Sequence, residues 1–74
     1  MNYDREIDTS GTFCPIPILR AKKELASMES KQILKVIATD PGSIKDFEAY
    51  CRQTGDTLAI TKELESHIFY IHKS

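Results

Sequence analysis

Two prolines one residue apart, in the run Cys14-Pro15-Ile16-Pro17, restrict this chain more than any other segment. A proline lacks a backbone N–H and has a fixed φ, so neither a central strand nor a helix interior accommodates the pair. The first turn of a helix does, because its amides have no intrahelical partner. The run therefore predicts a helix start, with Cys14 as N-cap, Pro15 as the first helical residue and Pro17 as the third. The residue before a proline is pushed out of the α region, which suits a cap. In that register Ile16 keeps a free N–H within reach of the Cys14 sulfur. That donor and the positive end of the helix both favour an anion, so the Cys14 thiol is expected to ionise below its ordinary value.

Periodicity extends the reading along the chain. Ile18, Ala21, Leu25 and Met28 step by three, four and three, which marks one buried helix face. Arg20, Lys23, Glu24 and Ser27 fall mostly on the other side. Upstream, Tyr3 to Asp8 is a weak strand and Thr9-Ser10-Gly11-Thr12 a turn cluster. Gln32 to Ala38 is the clearest strand, ended by Asp40-Pro41-Gly42-Ser43. Ser43 and Asp46 have the spacing of a capping box. Ile44, Phe47, Cys51 and Thr54 repeat the helical spacing, and Gly55 is a stop, so residues 44–54 read as a second helix. Thr57 to Lys62 and His67 to His72 are strands joined by a hairpin at residues 63–66.

The order β-α-β-α-β-β predicts an α+β fold: a two-layer α/β sandwich in which two helices cover one face of a mixed four-stranded sheet. The other face is open, and the whole forms a single domain over residues 1–74. The first two strands, joined through a helix, should be parallel with a right-handed crossover. Their C-terminal ends then share one edge of the sheet, which brings Cys14 and the Asp40–Ser43 turn together where open α/β sheets bind ligands.

Composition removes several function classes. A formal net charge of −1 argues against direct nucleic-acid binding driven by bulk charge. Apolar and charged fractions of 41% and 28% are those of an ordinary globular domain. No apolar run approaches a membrane span and no secretory signal opens the chain, so the expected compartment is cytoplasmic, with both cysteines reduced. His67 and His72 stand apart from any cysteine and read as surface strand residues, so no metal site is expected. Cys51 lies on the apolar stripe of the second helix and reads as an inert packed thiol. With no Cys-x-x-Cys pair, a dithiol redox protein is disfavoured.

The run from Ile7 to Pro17 resembles the D-x-x-G-x-x-C-P-x-P opening of the TusA-like (SirA-like) sulfur-carrier proteins, and the segments Ala38–Ser43 and Phe47–Cys51 are similar to later parts of that family. The resemblance implies a sandwich like the C-terminal domain of translation initiation factor 3. It implies that Cys14 accepts a sulfane sulfur as a persulfide and passes it on, with no cofactor beyond that covalent sulfur. The implied partners are a sulfur-donor protein, either a cysteine desulfurase or a rhodanese-like enzyme, and a sulfur-acceptor protein. Members of the family serve tRNA thiolation, molybdenum-cofactor biosynthesis or sulfur and thiosulfate metabolism, some beside a membrane transporter. Phe13 and His72 depart from the tRNA-thiolation members, which the resemblance expects to be polar and often Arg at these positions, so the pathway stays open.

Cys14 is thus the candidate sulfur-carrying residue, with Pro15, Ile16 and Pro17 holding its turn and Gly11 supplying a turn conformation. Asp40 reads equally as a turn residue or as a group beside the sulfur. Arg20 and Lys23 read as a solvated helix face or as a docking surface for a partner. The alternative to a sulfur carrier is a non-catalytic interaction or regulatory module that uses the open sheet face and keeps Cys14 as a structural thiol.

Overall fold

The structure is a computed structural model that describes residues 2–74. Its elements are β1 (Arg5–Asp8), α1 (Ile16–Ala26), β2 (Ile33–Ala38), α2 (Ser43–Thr54), β3 (Thr57–Glu63) and β4 (Ser66–His72). One mixed sheet runs β1-β2-β4-β3, with β1 parallel to β2 and both other pairings antiparallel. The expected β-α-β-α-β-β sandwich is the observed one. β1 is shorter than its sequence span: its register with β2 runs from Arg5–Leu34, preceded by the Asp4 N–H donating to the Ile33 carbonyl at 2.8 Å.

Alternation sorts the two sheet faces. Leu34, Val36 and Ala38 of β2 are buried while Ile33, Lys35 and Ile37 between them are only partly covered. The register pairs Leu34 with Ile71 and Val36 with Phe69, so those side chains share the face beneath the helices. From above, α1 contributes Ile18, Ala21 and Leu25, and α2 contributes Phe47 and Cys51. The Phe47 and Phe69 rings stack with centroids 4.4 Å apart, joining α2 to β4. Of the second helical stripe, Ile44 is only partly buried and Thr54 is exposed.

Both helices end on named groups. Gly55 takes φ +82° and returns its N–H to the Cys51 carbonyl at 2.9 Å, closing α2 in the left-handed conformation that glycine tolerates. Beyond α1, Lys73 Nζ donates to the carbonyls of Leu25 and Met28, each at 2.6 Å, so a cation meets the negative end of the helix. The β3–β4 turn at Leu64 and Glu65 lies beyond the Ala38–His67 pairing, on the sheet edge formed by the C-terminal ends of β1 and β2.

That edge is laced together. Thr9, fully buried, donates both its N–H and its hydroxyl to the Ile37 carbonyl, each at 2.7 Å. Gly11, at φ +81°, donates its N–H to Thr39 Oγ1 at 2.9 Å. The loop after β1 is therefore pinned to the end of β2 before the chain reaches Cys14.

Candidate functional site

Cys14 is exposed on the loop between β1 and α1, and its start of the helix differs from the expected one. Helix α1 begins at Ile16 with Pro15 as its cap residue, and Cys14 lies one residue further out. The Ile16 N–H donates to the Phe13 carbonyl at 2.8 Å and is not offered to the sulfur. The Phe13 carbonyl closes a tight turn over Cys14 and Pro15, and backbone carbonyls outcompete a thiol as acceptors. Pro17 becomes the second helical residue and its ring is fully buried, which anchors the turn in the core.

Asp40 supplies what the helix start does not. Its Oδ2 accepts the Cys14 N–H at 2.7 Å, and its Oδ1 accepts the Gly42 N–H at 3.1 Å. Its own carbonyl accepts the Ser43 hydroxyl at 2.6 Å and the Ser43 N–H at 3.1 Å. Asp40 is thus a turn residue that also grips Cys14, by the backbone and not by the sulfur. The Cys14 N–H, then the Gly42 N–H, hold its carboxyl below the ordinary carboxylate range, with a smaller contribution from the charge of His67. His67 faces Ala38 across the β2–β4 ladder, at the site edge, whereas His72 pairs with Ile33 at the opposite edge.

The sulfur itself meets a residue that the sequence had assigned to another task. Cys14 Sγ donates to Asp46 Oδ2 at 2.7 Å, across 32 positions of chain. Asp46 sits half-buried in the first turn of α2. The expected capping box does not form: Gly42 is the cap residue, Ser43 is already helical, and no side chain caps the helix. The short Asp46 side chain turns outward to Cys14 instead of back to the Ser43 amide. The sequence placed this helix start on the same sheet edge as Cys14, but the bearing of Asp46 on the helix is set by the tertiary fold.

These carboxylates reverse the expected shift of the thiol. The Asp46 hydrogen bond, then desolvation, then the charges of Asp46 and Asp40 raise the Cys14 pKa above its ordinary value. The helix starts favour an anion, but each offers only about half an elementary charge, and the one at α2 already faces Asp46. Full carboxylate charges at closer range prevail. Cys51 is buried on the core stripe, and burial, followed by the charge of Asp56, pushes its thiol up to about 11.

Around Cys14 the surface is apolar at one side and cleft at the other. Phe13, Ile16 and Leu19 are 71%, 44% and 55% exposed. A groove of ≈ 210 Å³ runs between α1 and α2, with Pro15, Ile18 and Lys22 on one wall and Asp46, Ala49 and Tyr50 on the other. Sites that enclose drug-sized ligands usually span about 300–1,000 Å³, so this groove is smaller than those. Lys22 Nζ lies 5.6 Å from the centre of the Tyr50 ring. Arg20 points the other way, donating to the Asp8 carbonyl at 3.1 Å, and Lys23 is exposed on the last turn of α1. Among the described residues no cluster of three or more His, Cys, Asp or Glu is arranged to hold a metal, and no helix is long and apolar enough to cross a membrane.

Residues 5–73 match the family described as Sulfurtransferase TusA. The chain belongs to the TusA family. It is 60% identical over 62 residues to the sulfur carrier protein TusA of Allochromatium vinosum, covering 84% of this chain and 82% of that protein. It is 31% identical over 70 residues to the sulfur carrier protein TusA of Pseudomonas syringae pv. tomato, covering 95% and 83%. The crystal structure of a SirA-like protein from Desulfitobacterium hafniense superimposes with a TM-score of 0.83 at 26% identity, over 92% of this chain and 95% of that one. The TusA family and the sandwich fold are therefore those that the motif and the element order had suggested.

Proposed function

We propose that this TusA-family protein is a sulfur carrier in which Cys14 accepts a sulfane sulfur from a donor protein and delivers it to an acceptor. The observation that carries the reading is an exposed thiol fixed at two points, backbone to Asp40 and sulfur to Asp46, beside a small groove. A carrier needs its sulfur presented to another protein, and it needs no pocket. Gly11, Pro15, Ile16 and Pro17 set the loop that presents it, and Asp40 holds that loop to the end of β2.

The loading step is a thiol–persulfide exchange. The Cys14 thiol loses its proton to solvent, and the sulfur electron pair forms a bond to the terminal sulfur of the donor persulfide. The donor S–S bond breaks, its electron pair leaves on the donor cysteine, and that thiolate takes up a proton. Cys14 is oxidised to a persulfide and the donor is reduced to a thiol. Delivery repeats the exchange with the acceptor as nucleophile. The only group carried is the covalent sulfur on Cys14.

The donor is a cysteine desulfurase or a rhodanese-like protein, and the acceptor serves tRNA thiolation, cofactor biosynthesis or sulfur metabolism in the cytoplasm. The exposed Phe13, Ile16 and Leu19 support a protein-facing surface around Cys14. Arg20 and Lys23 lie outside that patch on α1 and act at its rim.

Intact-mass spectrometry tests the reading. After incubation with a cysteine desulfurase and cysteine, or with a rhodanese and thiosulfate, the wild type should gain one sulfur on Cys14 and Cys14→Ser none. Wild-type protein that stays unloaded with both donors would overturn the carrier role in favour of an interaction module.

A further inference from the structure

Cys14 carries a contradiction for a nucleophile: its nearest charged group is a carboxylate. Asp46 Oδ2 lies 2.7 Å from Sγ, and Asp40, which holds the Cys14 amide, adds a second negative charge. The cations at hand do not offset them. Lys22 lies in the groove but sits over the Tyr50 ring. Among the described residues the ion pair at contact distance is Arg5–Glu24, on the other side of α1. Lys22 from α1 and Tyr50 from α2 line the groove with Asp46, and Asp40 from the β2–α2 loop adds its charge at Cys14.

We propose that Asp46 selects the sulfur source: it withholds Cys14 from small anionic sulfur compounds and yields it to a donor protein that brings a lysine or arginine to the Asp46 carboxylate. The inference rests on Cys14 being the sulfur-carrying thiol. Two effects act together. The hydrogen bond keeps the thiol protonated, in line with the raised Cys14 pKa. Free sulfane sources such as inorganic polysulfide are anions, and two carboxylates at the target repel them. A docked donor excludes water, which strengthens the pairing of its cation with Asp46 and frees the sulfur. The apolar rim of Phe13, Ile16 and Leu19 supplies a surface for such a dry contact, without any charge of its own.

Loading by polysulfide balances like the protein reaction. The Cys14 thiolate bonds to a sulfane sulfur, one polysulfide S–S bond breaks, and the shortened chain leaves with the electron pair. Cys14 is oxidised and the polysulfide reduced, and the thiol proton passes to solvent.

The test is Asp46→Asn, which keeps the size and removes the charge, with melting curves to verify folding. Alkylation of Cys14 is followed by mass against pH with neutral iodoacetamide and anionic iodoacetate. The variant should titrate at lower pH. At neutral pH its iodoacetamide rate should rise about threefold per unit of pKa lost, since greater ionisation is partly offset by lower nucleophilicity. Iodoacetate should gain more than iodoacetamide, and high salt should narrow that difference in the wild type. Loading by inorganic polysulfide should rise, and the ratio of loading by cysteine desulfurase with cysteine to loading by polysulfide should fall. An unchanged midpoint and an unchanged iodoacetate-to-iodoacetamide ratio would overturn the role of Asp46. If alkylation responds as expected but neither protein takes sulfur from any source, Asp46 controls the thiol and it is the carrier reading that fails. Should Asp46→Asn fold poorly, Asp46→Ser, which also removes the charge, is put through the same measurements with the same outcomes.

Discussion

The Cys14 amide and the Asp40 carboxylate, 26 positions apart, meet at 2.7 Å and join the loop that follows β1 to the turn that follows β2. That bond fixes the backbone of the reactive residue without touching its sulfur. Two acids thus hold the residue at different atoms: Asp40 accepts from the Cys14 backbone, and Asp46 accepts from its thiol.

Asp40 gives the first prediction. Its folded-state pKa is lowered, so its contribution to stability is present above the ordinary carboxylate pKa and is lost as pH falls through the folded value. Asp40→Asn should lower the melting temperature at neutral pH. The gap between wild type and variant should close as the solution is acidified below the normal carboxylate range. A gap that persists undiminished in acid would mean that the charge of Asp40 contributes nothing to the fold.

The second concerns the two thiols. Cys14→Ser should leave the melting temperature nearly unchanged, because the side chain is exposed. Cys51→Ser should cost about 1–3 kcal/mol through a hydroxyl in the core, and should still load sulfur. In native wild type only Cys14 should react with iodoacetamide. Peptide mapping that finds Cys51 alkylated at neutral pH without unfolding would contradict its packing.

Alkaline solution separates Cys51 in a second way. A thiol raised to about 11 in the fold ionises near 9.0 once unfolded, so above that pH the unfolded state holds fewer protons. Stability should therefore fall as pH rises from about 9 towards 11, by roughly 2–3 kcal/mol for a shift of this size. Tyr50, also raised by burial, acts in the same direction. Thermal melts of Cys51→Ser across this range should show a shallower decline than the wild type.

A fourth prediction addresses the far end of α1. Lys73→Met removes two charge-assisted bonds, to the carbonyls of Leu25 and Met28. The loss should be about 1–3 kcal/mol in urea unfolding. Cys14 alkylation should be unaffected, because the contact lies at the opposite edge of the sheet.

The partner surface is tested by comparing two double variants. Phe13→Ser with Leu19→Ser should slow loading from a protein donor more than Arg20→Glu with Lys23→Glu, since centrally placed apolar groups dominate binding and rim charges chiefly set the encounter rate. Neither pair should change the iodoacetamide rate by much. Loading that is insensitive to Phe13 and Leu19 but lost with Arg20 and Lys23 would move the docking surface to the charged face of α1.

Local patterns carried most of the fold. The stripes Ile18–Ala21–Leu25 and Phe47–Cys51 and the Gly55 stop are short-range features, and each reports the geometry of its own segment. The β1–β2 pairing was legible because a helix between two strands leaves few alternatives. What escaped were contacts made between distant segments. Asp46 reads as the second half of a capping box with Ser43, and only the meeting of α2 with the loop after β1 turns it into the acceptor for Cys14. Lys73 sits in no local pattern, and its partners appear only where α1 ends beside it. The expected free amide at Ile16 was lost to the carbonyl of Phe13, a competitor that side-chain patterns do not register.

The 2.7 Å separation of Sγ and Asp46 leaves no room for an atom between them. A sulfur–sulfur bond is about 2.0 Å long. Once Cys14 carries a second sulfur, that atom must take another bearing or the carboxylate must turn away. The empty and the loaded carrier then differ in shape and charge at the one place a partner inspects. A donor fitted to the first and an acceptor fitted to the second would each meet the form it can use, while the net direction of transfer stays with the free energies of the donor and acceptor sulfur.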